Sequence, residues 1–142
     1  MKTIELFAEE SNRSLPTVES WIKKGLVNGA EFIDGEYIIS DLARPPYTRA
    51  RNNSEPSIRK GIVIGCKRRL SVNDKTLKIS EHEFAVYLGQ LINAGLIEKK
   101  IIDGYTYYFS TPKTDTMSEG QIKNVVRNMA LLVVEGAFRV FT

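Results

Sequence analysis

The sequence predicts an α+β chain, mainly helical, with two β-hairpins and a C-terminal amphipathic helix. Three observations predict it. Apolar residues recur at helical spacing in several separate runs. Asp-Gly dipeptides at 34–35 and 103–104 stand between short alternating runs, a strong local signal for a two-residue hairpin turn. Gly25, Gly95 and Gly136 each stand where an apolar helical run stops, as left-handed C-terminal glycines do.

Thr3 to Ser11 is expected as the first helix, with Ile4, Phe7 and Ala8 on one face. Asn12 tolerates the left-handed turn after it. Pro16 suits the first turn of a second helix, where its missing N–H costs little. Val18, Trp21 and Ile22 give that helix an apolar face, and Trp21 is expected to be largely buried. Gly25 ends it. "AEFIDGEYIIS", residues 30–40, then predicts a hairpin, and Asp41-Leu42-Ala43 adds one turn at most. "RPPYTRARNNSEP", residues 44–56, has three prolines, three arginines and little to bury. It is expected to be a linker between a unit at 1–43 and another at 57–142.

"SIRKGIVIGCKRRL", residues 57–70, supports two readings. "GIVIG" alone suits a buried strand, whereas Ile58, Ile62, Cys66 and Leu70 fall at i+4 steps. The helix is preferred, because Lys60, Lys67 and Arg68 then share the opposite face. Gly61 and Gly65 weaken it by about 1 kcal/mol each relative to alanine. Ser80 and Glu83 form a capping box ahead of a helix that turns Phe84, Tyr87, Leu88, Leu91 and Ile92 inward. No separate helix is expected before it. "LIEKKIIDGYTYYFST" predicts a second hairpin. Ser118 and Gln121 form another capping box, and Ile122, Val125, Val126, Met129, Leu132 and Val133 then line one face of the terminal helix. "AFRVFT" ends the chain in strand-like fashion.

The chain's net charge of +3 conceals a partition. Residues 1–43 carry net −4, residues 44–70 net +7, and residues 71–142 net zero. A local basic surplus is the electrostatic footprint of a phosphate binder. Catalytic chemistry is poorly supplied. His82 is the only histidine and reads as a solvated first-turn residue; Cys66, the only cysteine, reads as core. No metal-ligand spacing, phosphate loop or nucleophile elbow is present. The expectation is a non-enzyme with no cofactor and no metal. No apolar run nears the ~20 residues of a membrane span. The acidic "MKTIELFAEE" lacks a signal-peptide core, and a lone cysteine fits a reducing cytoplasm.

An internal echo follows. "IKKGLVNGAEFIDGEYIIS" and "INAGLIEKKIIDGYTYYFS" both read helix end, Gly-Leu-aliphatic, strand, Asp-Gly, tyrosine-containing strand. The echo makes tandem winged-helix-like units the expected architecture. Residues 3–43 further resemble the excisionase-like, MerR-type winged helix-turn-helix DNA-binding domains. The residues that carry the likeness are Thr3, Glu5, Phe7-Ala8, Ser14, Thr17-Val18, Trp21-Ile22, Gly25-Leu26 and "EYIISDL".

The resemblance implies a recognition helix near residues 16–24 in the major groove and a hairpin wing on the adjacent backbone. It implies that Ser14 and Thr17 meet phosphate, and that Pro16, Glu19, Ser20 and Lys23 face base edges. Arg13 and Lys24 are the other bases on or beside that helix. The family often has arginine where Pro16 and Glu19 stand here, and bases where this wing has Glu31, Asp34 and Glu36. Arg44, Arg49, Arg51, Arg59, Lys60, Lys67 and Arg68 are expected to supply most of the phosphate attraction. The leading expectation is a sequence-specific double-stranded-DNA-binding protein, a small transcriptional regulator or recombination accessory factor. The alternative is a protein-interaction module or inhibitor, by DNA mimicry in one form, that keeps the fold. The terminal stripe is read either as packed within its own unit or, the reading favoured here, as pairing two copies into a homodimer.

Overall fold

The computed structural model describes residues 1–48 and 55–129. Among these the chain is α+β, about half helical, with seven helices and two small antiparallel hairpins. Two hydrophobic cores form, one from residues 7–43 and one from residues 58–129. Arg49, Arg51, Leu132, Val133 and the terminal "AFRVFT" lie outside the described residues.

Helix α1 (Ile4–Ser11) starts behind Thr3, whose hydroxyl accepts the Leu6 N–H at 3.1 Å. That bond satisfies one of the donors every helix leaves open at its start. Asn12 ends the helix in the left-handed conformation, φ 54°. Helix α2 (Leu15–Lys23) has proline in its first turn, and Gly25 follows its end at φ +73°. Strands β1 (Ala30–Ile33) and β2 (Glu36–Ile39) pair with Ile33 opposite Glu36. Asp34 and Gly35 both have positive φ, which a type I′ turn requires. Phe7, Val18, Ile22 and Ile39 fill the first core. Trp21 does not join them as expected: it is half-buried at the rim. Two short helices and a four-residue hairpin enclose Phe7 but give too little cover for an indole.

Residues 57–70 resolve as helix, α3 (Glu55–Lys67), and stop before Arg69 turns left-handed at φ 59°. Every residue from Gly61 to Cys66 is buried, so α3 is the central helix of the second core. Around it stand α4 (Asp74–Leu77), α5 (Glu81–Asn93), β3 (Ile97–Ile102), β4 (Tyr105–Ser110) and α6 (Pro112–Asp115). A last helix, α7, is described over residues 119–129. Asp103 and Gly104 repeat the I′ turn between β3 and β4. Gly95 takes φ +73°, as Gly25 does after α2.

Two expectations need correction. A separate helix does precede α5: Asn73 caps α4 by accepting the Lys75 and Thr76 N–H groups, and Thr76 Oγ1 accepts the Asn73 N–H in return. A reciprocal cap of this kind offsets much of the cost of starting so short a helix. The described part of the linker, residues 44–48, is not free. Pro46 is buried, Tyr47 N donates to Ser71 O, and Ser71 N donates to Pro45 O, both at 2.9 Å. A Cβ on Gly65 would stand 3.3 Å from the Tyr47 ring, so the missing side chain lets that ring approach α3. The terminal stripe is described as far as Met129. Ile122, Val126 and Met129 are buried in the second core, with Val125 half-buried against it. As far as Met129 the stripe thus packs against the second core.

Cys66 lies in the same core, and burial pushes its thiol up to about 12. The folded state therefore holds the proton that the unfolded chain releases near pH 9. This contribution to stability is complete below about pH 9 and is lost as pH rises toward 12. A disulfide reagent at pH 8 is expected to label Cys66 at the unfolding rate, and Cys66→Ala is expected to flatten the alkaline limb of the stability profile. Rapid labelling of the native protein would contradict the burial.

Candidate nucleic-acid interface

The sequence-predicted site falls into two groups that the structure treats differently. The first group stays together on and around α2. Arg13, Ser14, Pro16, Thr17, Lys23 and Lys24 are exposed, and Glu19 and Ser20 are half-exposed. Their order follows from helical geometry: Val18 and Ile22 take the buried face, so Pro16, Thr17 and Ser20 project from the other side. The Ser14 hydroxyl makes no cap bond. It lies 2.9 Å from the Thr17 hydroxyl, which places two O–H groups side by side at the start of α2.

At the other end, the Lys23 ammonium stands 4.8 Å over the Phe32 ring and 6.0 Å from that of Tyr37. Phe32 and Tyr37 are cross-strand partners, with ring centroids 4.6 Å apart. Such an exposed cation–π contact contributes about 0.5–1 kcal/mol, enough to lean Lys23 toward the hairpin. The hairpin itself is acidic on its surface. Glu31, Asp34 and Glu36 are all exposed.

The described members of the second group are buried, half-buried or already engaged. Arg59 was expected as a surface cation and is not one. It is only 3% exposed, donates from Nε to Gln90 Oε1 at 2.8 Å, and places its guanidinium 4.8 Å over the Tyr87 ring. The cause is the position of α3. From Ile58 to Cys66 every residue but Lys60 is buried, so Arg59 must find its partners inside. The unbroken run from Gly61 to Cys66 was the available signal. Lys60 is half-buried. The Lys67 ammonium donates to the Asp115 carbonyl at 3.1 Å, and Arg68 pairs with Glu119 at 2.6 Å. Arg44 is half-buried with its guanidinium 4.8 Å over Phe109. Burial first, and then the Arg69 charge, lower its pKa.

Residues that the sequence did not single out join the two cores. The Asn28 N–H donates to Ser71 Oγ at 3.0 Å, and Asn28 Nδ2 donates to Val72 O at 2.9 Å. Asn73 Nδ2 donates to Gly25 O and to Asn28 Oδ1, both at 3.0 Å. Tyr105 donates its hydroxyl to Glu31 at 2.8 Å, and that bond holds the phenol above its ordinary pKa. Gly29, at φ +82°, lies so close to Tyr107 that a Cβ would overlap the phenol oxygen. A hydrogen bond between elements over forty residues apart leaves no local pattern. Only the capping role of Asn73, in "NDKT", was legible.

Between these elements runs an open groove of about 460 Å³. The end of α2, all of β1, Lys75 of α4, and Tyr105 and Thr106 of β4 line it. Among the described residues no three His, Cys, Asp or Glu side chains gather to hold a metal ion, and no helix is long and apolar enough to cross a membrane. The geometry thus defines a small α+β chain whose two helix-then-hairpin segments meet at a polar junction. No protein-family model, curated protein or solved structure matches the chain.

Proposed function

We propose that the chain is a sequence-specific double-stranded-DNA-binding protein of the cytoplasm, a small transcriptional regulator or recombination accessory factor, that acts by binding and not by catalysis. In this reading residues 1–43 form one winged-helix unit and residues 57–142 a second, and α2 reads the major groove. One observation carries it. An exposed helix face, with hydroxyls at its start and cations before its start and at its end, stands directly beside a hairpin. Ser14, Thr17 and Arg13 would contact phosphate, and Pro16, Glu19, Ser20 and Lys23 would face the bases. Glu19 can accept from a cytosine amino group.

Helix α5 precedes the second hairpin as α2 precedes the first, but it has no lysine or arginine and exposes Val86 and Ile92. Base reading is therefore assigned to α2 alone.

The test begins with selection of bound duplexes from a random pool. Lys23→Ala and Ser20→Ala are each expected to cost about 1–3 kcal/mol on the selected duplex and far less on random DNA. Equal losses on both duplexes would remove α2 as the reading helix, and a pool that never enriches would remove the function. A second reading, a protein-binding module, rests on Phe32 and Ile33, which are 41% and 43% exposed on the acidic hairpin. Flow-through on heparin at moderate salt would favour it.

A further inference from the structure

The first core's own residues supply the junction groove poorly for a polyanion. They line it with Lys23 and with Glu31, whose charges oppose. Two side chains from beyond the linker change that balance. Lys75, in the first turn of α4, lies along Gly25 at the end of α2: a Cβ on Gly25 would stand 2.8 Å from the Lys75 ammonium and 3.1 Å from its Cδ. The glycine leaves room for the lysine stem, and Asn73, which caps α4, bonds the Gly25 carbonyl and holds the turn in place. Tyr105 meanwhile donates to the Glu31 carboxylate and so engages the groove's acid. The groove then carries two exposed lysines, one from each side of the junction, and one acid already engaged by a donor.

We infer that Lys75 is a nucleic-acid contact, and that the junction groove seats the sugar-phosphate backbone of the same duplex that α2 reads. The occupant follows from the lining. The Lys75 ammonium on one wall, base-facing Lys23 at the end of α2 on the other, and an open, unenclosed shape suit a phosphodiester run that passes beside the bases α2 reads. The inference rests on the duplex-binding reading above. It adds that the second hairpin unit takes part in binding through α4, and not through α5. It also accounts for how a first unit of net charge −4 approaches DNA: the cation it lacks is lent across the junction. Lys75 also complements the negative end of the α2 dipole; the salt slope separates the two roles, because it counts phosphate contacts and a lost dipole interaction alone leaves it unchanged.

The experiment measures duplex affinity by fluorescence anisotropy across a salt series, on the full chain. Lys75→Gln keeps most of the stem over Gly25 and removes the charge; Lys75→Arg keeps the charge. One lost phosphate contact lowers the salt slope by about 0.9, and near 0.1 M salt it weakens binding about eightfold. Lys75→Gln is expected to show both changes on selected and random duplexes alike, Lys75→Arg is expected to restore them, and Lys123→Gln, on the exposed side of α7, is expected to show neither. Wild-type slope and affinity in Lys75→Gln, with Lys23→Ala still impaired on the selected duplex, would overturn this inference alone. A wild-type chain that binds no duplex would overturn the functional reading and this inference together.

Discussion

Phe7→Ala is expected to unfold the first core. Phe7 is 1% exposed and is the largest side chain among the eight buried residues there. Phenylalanine-to-alanine changes in packed cores cost about 3–5 kcal/mol, the lost transfer energy adding to the cavity left behind. Two short helices and one short hairpin have few other residues that can close around such a cavity. Trp21 is the chain's only tryptophan and packs against the rim of this core, so its emission reports the event directly. The variant is expected to show red-shifted emission at far lower urea than wild type. A Trp21 transition at the wild-type midpoint would mean that Phe7 is not the centre of the core. The Ala30–Ile39 pairing closes the hairpin end of the same core, and Ile39 is fully buried. Ile39→Ala therefore provides the same test from the other side, at about 2–5 kcal/mol.

Ile122→Asp is expected to cost roughly 4 kcal/mol or more, the sum of a lost apolar side chain and a carboxyl group placed where nothing solvates it. Ile122 is fully buried, in one cluster with Leu91, Leu96 and Val126. The same measurement addresses how α7 is covered. If its stripe packs within the chain, the wild-type urea midpoint stays constant over about a hundredfold range of protein concentration. A midpoint that rises with concentration would place the stripe between two copies, because association then adds to stability. A variant with an unchanged midpoint would take Ile122 out of the core.

What was legible in the sequence was local. Apolar spacing placed α1, α2, α5 and the start of α7, and capping residues marked where several of them begin. Asp34-Gly35 and Asp103-Gly104 set both turns, because a two-residue hairpin demands positive φ at each position. The helix over "GIVIG" was legible from the i+4 steps around it. The face of α2 that stays exposed was legible too, since Val18 and Ile22 commit the opposite face to the core. The short helices were harder. Helix α4 depends on the reciprocal cap between Asn73 and Thr76, and α6 on Thr111 with proline behind it. Four residues give periodicity nothing to count.

The sequence by itself determined the α+β class, the order of the longer elements, both hairpin turns and the membership of the α2 face, because each depends on interactions within a few residues. Only the tertiary structure decided what became of the charges and the linker. Arg59 is buried because neighbours cover α3 nearly all round between Ile58 and Cys66, a fact about those neighbours and not about its own period. Tyr47 docks because Gly65 leaves space across the fold. Lys75 meets the end of α2 because Asn28, Ser71 and Asn73 tie the two cores at a junction. Burial and charge placement are sums over neighbours that are distant in the chain, so no window of sequence contains them.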